Sequence, residues 1–219
     1  MLTILKDASI IEEGPLIGLV EAHFPSKADW DLEAFHALVS KELDLIRQDN
    51  NPYDRAARFG SDPYYRYFKK YKKTYPVLLQ LESFLLKGRP FPEELPASAL
   101  AFLAELRTGL LLGTHDIDRM QGALTLFAPT EKLSFPGLGG HESHSYPGDL
   151  TGRDDEGILF SRIGGPDART CLTPSTQHAA YLIFGVPGCS PDRILAAQEL
   201  LLQYLHVLAS EVQTDCCTI

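Results

Sequence analysis

Hydrophobic positions recur along this chain at two spacings, and the changes between them mark its elements. PLIGLVEAHF, residues 15–24, mixes β-branched and apolar residues in a short run, which predicts an early strand. In DWDLEAFHALVSKELDLIR, Phe35, Leu38, Val39, Leu43 and Ile46 recur at helical spacing, and Asp29 or Asp31 can cap the start. YPVLLQLESFLLKG puts Pro76 in a first turn and Gly88 where a left-handed stop belongs. GRPFPEELP reads as a turn, after which Ser98 can cap a short helix running through Leu106. Ser190 and Pro191 open a long amphipathic helix carrying Ile194, Leu195, Leu201, Leu205, Leu208 and Val212. Between the helices lie three strand-like runs, at 122–128, 157–162 and 179–186. They alternate with loops rather than with regular helices, which predicts an α+β fold, a central mixed sheet with helices packed on it. The expectation is one domain over 1–219, with a strand and helix in 1–50 and a C-terminal helix over 190–214.

Composition narrows the setting. A chain of 219 residues, 44% hydrophobic, is long enough to bury a real core. It has no run of about 18 apolar residues, and the opening MLTILKDASIIEEG is acidic where a signal peptide needs a basic start, so a soluble, cytoplasmic protein without membrane partners is expected. Cys171, Cys189, Cys216 and Cys217 lack CxxC spacing and read as reduced thiols. Cys216 stands four from the end in the outline of a prenylation box, but Thr218 is not aliphatic and the preceding SEVQTD is acidic, both against a lipid anchor.

A net charge of −9 argues against nucleic acid as a general partner, because phosphate affinity rests on Lys and Arg. YYRYFKKYKKTY, residues 64–75, runs the other way. Read as a helix, it sets Tyr64, Phe68, Tyr71 and Tyr75 on one face and Arg66, Lys69, Lys70 and Lys73 on the other. That stripe is either an ordinary amphipathic surface helix or a small RNA-contacting patch.

The densest chemistry lies in GTHDIDRMQGALTLF, residues 113–127, and DDEGILFSRIGGPDARTCLTPSTQHAAYLIFG, residues 154–185. His115 suits a general base or hydrogen-bond donor near neutral pH, Asp116 or Asp118 an orienting group, and Arg162 or Arg169 an anchor for a carboxylate or phosphate. The same residues also suit turn caps, an exposed loop histidine and an Arg169–Asp167 pair that stiffens the loop. Gly164 and Gly165 let a ligand approach the main chain, and Pro166 sets the following turn. FPGLGGHESHSYPG, residues 135–148, has the glycines expected of a mobile lid. His141 and His144 raise a metal site, although HESH lacks the HExxH spacing.

Gly113, His115, Asp116 and Asp118 fit a PxGxHDxD-like segment, and Gly164, Asp167, Arg169, Thr170, Thr173 and Thr176 fit a later Gly–Asp–Arg–Thr pattern. Together these segments resemble the B3/4 domain, the tRNA-editing part of the phenylalanyl-tRNA synthetase beta subunit and its free-standing relatives, over roughly residues 53–184. The resemblance implies catalytic His115 and Asp116, and a substrate site of Gly113, Asp118, Arg162, Gly164, Gly165, Asp167, Thr170, Thr176 and Leu182. It implies an aminoacyl-tRNA or amino acid as partner and no cofactor. The chain departs from that pattern where the family's phenol-accepting glutamate aligns near Leu182, where Pro76–Leu79 and Ala99–Phe102 are apolar, and where the synthetase histidine aligns nearer Gly113. Three functions stay open: a deacylase acting in trans on mischarged tRNA, a non-catalytic module binding an amino acid or aminoacyl end, and a metal-dependent hydrolase built on His115, His141 and His144.

Overall fold

The computed structural model describes residues 1–219. In chain order the elements are β1 (Ile4–Lys6), β2 (Ile17–His23), α1 (Leu32–Asp49), α2 (Arg55–Phe59), α3 (Pro63–Lys70), α4 (Pro76–Lys87), α5 (Pro96–Thr108), β3 (Leu112–Asp116) and β4 (Leu124–Phe127). There follow β5 (Leu133–Pro136), β6 (Glu142–Ser145), β7 (Thr151–Arg153), β8 (Ile158–Ser161), β9 (Gly165–Pro166), β10 (His178–Phe184), α6 (Pro191–Leu208) and β11 (Gln213–Thr218).

Strand alternation organises these elements into three layers. Val20, Ala22, Ala179, Tyr181 and Ile183 of β2 and β10 join the core formed with α1, α4, α5 and α6. Their alternates, Ile17, Leu19, Ala180, Leu182 and Phe184, pack instead on Leu124, Leu126, Leu159 and Phe160 of the second sheet. Helices therefore cover one face of an antiparallel sheet ordered β11-β2-β10-β3, and the other face meets a sheet ordered β1-β4-β7-β8-β9. In that second sheet β1 runs parallel to β4 while the remaining pairs are antiparallel, so the expected α+β architecture with a mixed sheet is found. Burial on both faces explains why β10 reads as an unbroken apolar run. No helix is long and apolar enough to cross a membrane.

Local chemistry sets most helix ends. Asp31 caps α1, its Oδ1 accepting the Ala34 N–H at 2.8 Å, while Asp29 lies in a preceding 3-10 turn. Gly88 closes α4 at φ 60°, in the left-handed region. Ser98 is not a cap: α5 begins at Pro96, whose missing N–H costs nothing in a first turn. The basic aromatic stretch is not one helix either. α3 stops at Lys70, the chain turns through Lys72 at φ 57°, and Pro76 holds Tyr75 extended (φ −64°, ψ 119°) ahead of α4. Tyr64, Phe68 and Tyr75 nevertheless converge in the core, with Tyr75 5.2 Å from Phe68 between ring centroids.

Two expected tails and loops are ordered strands. The C-terminal helix ends at Leu208, not at 214, and β11 then pairs with β2, setting Cys216 opposite Val20 and Cys217 opposite Leu19. The glycine-rich 135–148 stretch belongs to the β5–β6 hairpin, tied down where the Ser143 hydroxyl donates to the Gly164 carbonyl at 2.6 Å.

Candidate functional site

The two motif segments meet at the junction of the sheets. β3 is an edge strand whose register sets Gly113 opposite Leu182 and His115 opposite Ala180, so both point toward the second sheet. The 164–170 loop leaves that second sheet through β9, and the Asp116 N–H donates to the Thr170 carbonyl at 2.7 Å.

His115 is fully buried, and its hydrogen bonds define its tautomer. The Thr170 hydroxyl donates to Asp167 Oδ1 at 2.5 Å and has no second proton, so at 2.7 Å it accepts from the His115 Nδ1–H. Nε2 is then the unprotonated nitrogen, and this buried atom has no protein partner. Burial, aided by the Arg169 charge, pushes the imidazole down to about 4, which keeps the ring neutral at pH 7. Burial also raises the Asp167 carboxyl, opposed by the Thr170 hydroxyl and N–H that donate to it.

A cavity of about 160 Å³ lies beside this ring, walled by His115, Gly113, Phe160, Phe184, Gly164 and Gly165 among others. A Cβ on Gly113 would stand 3.0 Å from the Phe184 ring and 3.8 Å from His115 Nε2, so any side chain there would intrude between them. Gly164 is held by a second close approach, because its Cβ would come within 2.1 Å of the His144 carbonyl oxygen. Gly165 sits at φ 85° with open space around it. An adjoining cleft of about 440 Å³ shares Leu112, Gly113 and Pro166 with the cavity and adds Gln80, Phe102 and Glu105. Burial pushes the Glu105 carboxyl up to about 8, against the downward pull of the Leu112 N–H that donates to Oε1 at 2.8 Å. Nothing in the sequence pattern singles out Glu105 or Gln80, which sit in ordinary helical stretches and acquire meaning only where the cleft meets them.

The remaining predicted residues divide by what they touch. Asp116 points to the opposite face of β3 from His115, its Oδ2 accepting from Thr176 Oγ1 at 2.6 Å and its Oδ1 from the Asp118 N–H at 3.1 Å. Thr170 and Asp167, not Asp116 or Asp118, orient the imidazole. Asp118 is exposed and lies 3.5 Å from His178 Nδ1. Arg169 is spent on Asp154, with Nη2 2.8 Å from both carboxylate oxygens. Arg162 lines the cavity as a buried residue whose Nη1 donates to Glu12 at 3.1 and 3.2 Å and whose guanidinium lies over Tyr67, leaving Nε and Nη2 without protein partners. Leu182 belongs to the core between the sheets and borders neither cavity; Phe184, one step of alternation further along β10, takes the wall position. His141 and His144 sit on the hairpin and do not assemble with His115 into a metal-binding group, which removes the basis for that hydrolase. Arg66, Lys69, Lys70 and Lys73 are all exposed.

No known family's sequence profile matches this chain, and no curated protein matches it in sequence. Among solved structures it is similar to an N-terminal fragment of the phenylalanyl-tRNA synthetase beta-subunit from Pyrococcus horikoshii, with a TM-score of 0.48 and 12% identity. The match covers 99% of this chain and 53% of that one, so this chain spans about half the length of the fragment.

Proposed function

We propose that the cavity beside His115 takes the acyl end of an aminoacyl ester and hydrolyses it, with aminoacyl-tRNA as the substrate class. The observation that carries this reading is the Asp167–Thr170–His115 chain, which leaves a neutral, fixed imidazole with its lone-pair nitrogen free in a buried site. Such a nitrogen accepts a proton from water as the water attacks an ester carbonyl, and the imidazolium that forms is stabilised through Nδ1–H by the hydroxyl and the carboxylate behind it. The same imidazolium then returns the proton to the departing ribose oxygen. Open backbone at Gly165 and the absence of a side chain at Gly113 leave room for the substrate's main chain, while Phe160 and Phe184 favour an apolar side chain over a polar one. The motif likeness to editing domains supports the choice of an aminoacyl ester among esters.

A second reading, a module that binds the same end without turning it over, is favoured by how many polar groups around the cavity are already engaged. The Ser161 hydroxyl donates to Asp149 at 2.5 Å, and Arg162 Nη1 is held by Glu12. Deacylation of a panel of mischarged tRNAs separates the two. Turnover that depends on His115 supports the hydrolase; saturable binding of an aminoacyl-adenosine analogue without turnover supports the module. Neither turnover nor binding would overturn both.

A further inference from the structure

The polar end of the β2–β10 pair holds a cluster of residues outside the cavity. Along β2 the face that begins with Ile17 and Leu19 ends with Glu21 and His23, and the register places His178 of β10 directly opposite His23. The two imidazoles stack with centroids 3.5 Å apart and planes at 23°. Both Nε2 atoms turn toward one oxygen, Glu21 Oε1, at 2.8 Å from His178 and 3.6 Å from His23. Glu21 is only 2% exposed, its Oε2 accepts the Leu2 N–H, and its Oε1 faces the two histidines and, at 3.6 Å, the Met1 ammonium that a bound metal would replace as the counter-charge.

We propose that Glu21, His23 and His178 form a three-ligand site for a divalent transition metal of the zinc class. One ligand atom from each residue lies within 4.8 Å of the others. A tetrahedral zinc with bonds of about 2.0–2.2 Å needs its ligand atoms roughly 3.3–3.6 Å apart, so small side-chain adjustments close the geometry, and a fourth position stays open. Imidazole and carboxylate donors suit zinc and its neighbours rather than calcium or magnesium, which prefer all-oxygen shells. Asp118 completes the arrangement from behind. It stands 3.5 Å from His178 Nδ1, the position from which a carboxylate takes the Nδ1–H and directs Nε2 at the metal. This gives Asp118, which has no contact with the cavity, a positioning role at a different centre. Ala180 faces both His115 on one side and Glu21 on the other, so the metal site and the cavity occupy the same face of the sheet, about two strand spacings or roughly 9–10 Å apart.

The test is titration of the metal-free full chain with zinc chloride by calorimetry, with cobalt(II) absorption as a reporter of tetrahedral geometry. The wild type should bind one metal saturably, show intense visible cobalt bands and melt at a higher temperature with zinc than with chelator. His23→Ala, at a half-exposed position, and His178→Ala should abolish saturable binding and the zinc-dependent rise in melting temperature, with the His23 variant melting in chelator near the wild-type value. Asp118→Asn should weaken zinc roughly 10- to 100-fold while its melting temperature in chelator stays at the wild-type value. A Cys216→Ser, Cys217→Ser double variant should bind as the wild type does. Absence of saturable wild-type binding, binding retained in His23→Ala and His178→Ala, or binding abolished in the cysteine variant would each overturn the assignment.

Discussion

At the scale of single residues, the fold imposes opposite protonation preferences on two buried groups, and each has a measurable consequence. His115 is held neutral, its pKa pushed from the usual 6.5 to about 4 by burial and then by Arg169. The unfolded chain therefore binds the proton more readily, and the stability this residue contributes is full above about pH 6.5 and lost as pH falls through 4. If Nε2 is the general base, deacylation should hold a plateau from about pH 5 upward and fall on the acid side near 4, and His115→Ala should lower the plateau roughly 10²- to 10⁴-fold. Thr170→Val should give a smaller loss, since Nε2 remains but loses the partner that fixes its tautomer. It should also destabilise the fold by about 1–3 kcal/mol, because His115 Nδ1 is left without a buried hydrogen-bond partner and Asp167 loses the hydroxyl while keeping the Thr170 N–H. Steady-state rates and urea denaturation on the two variants check both points. Glu105 behaves in the reverse sense. Burial raises its pKa from 4.5 to about 8, so its carboxyl is neutral in the folded state where the unfolded chain would ionise it. Its contribution is therefore full below about pH 4.5 and lost as pH rises to 8. Glu105→Gln keeps an oxygen for the Leu112 N–H, so it should flatten the decline in stability between pH 5 and 8; an unchanged pH profile would show that the carboxyl is charged in the folded protein.

At the scale of elements, residue order makes legible whatever depends on near neighbours. Helix starts and stops at Asp31, Pro76 and Gly88, and the strands of β2, β8 and β10, follow from local caps and from runs of apolar residues too short for a helix. The elements that escape are those whose justification is a distant partner. β11 is polar and becomes a strand only because β2 offers an open edge, and the hairpin of β5 and β6 looks like a mobile loop until Gly164 is seen pressed against its backbone. The site follows the same rule. His115 and the 164–170 loop are visible as motifs, but adjacency in sequence points to Asp116 as the group that orients His115, whereas strand alternation turns adjacent side chains to opposite faces. Thr170 and Asp167, far onward in the chain, supply the contact instead. The packing of the loop on the hairpin yields a test at this scale. Gly164→Ala places a methyl carbon 2.1 Å from the His144 carbonyl and must displace the hairpin, while Gly165→Ala meets no atoms and suffers only the left-handed backbone at φ 85°. The second should cost about 1–2 kcal/mol and the first clearly more, measured as shifts in denaturation midpoint at constant slope. A milder effect at Gly164 than at Gly165 would mean that the hairpin is not held against the loop.

At the scale of the whole molecule, the question is how a chain of net charge −9 approaches a polyanion. Average charge opposes it, so any tRNA contact has to come from a local concentration of cations. The structure gathers one where α3 and the turn after it leave Arg66, Lys69, Lys70 and Lys73 in solvent, and where the Lys73 and Lys132 ammonium groups flank the Tyr146 ring at 5.5 and 5.9 Å. Most aromatic residues of the same stretch go into the core, since Tyr64, Tyr67, Phe68 and Tyr75 are buried, while Tyr71 is half-buried and lies 6.1 Å from Tyr146 between ring centroids, so the surface offers charge and a small tyrosine pair rather than a long stacking track. A patch this small predicts weak, strongly salt-sensitive binding that positions a substrate without reading its sequence. Replacing Lys69, Lys70 and Lys73 together by alanine should lower tRNA affinity and reduce the slope of log K against log salt by about 2, at roughly 0.7–0.9 for each phosphate no longer neutralised. Hydrolysis of a short aminoacyl ester that lacks the tRNA body should be untouched, because none of the three lysines borders either cavity at the His115 site. Filter binding across a salt series, alongside the ester assay, measures both. An unchanged slope would leave these lysines as an ordinary solvated helix face, and a parallel drop in activity on the short ester would place their effect in the fold rather than in tRNA recognition.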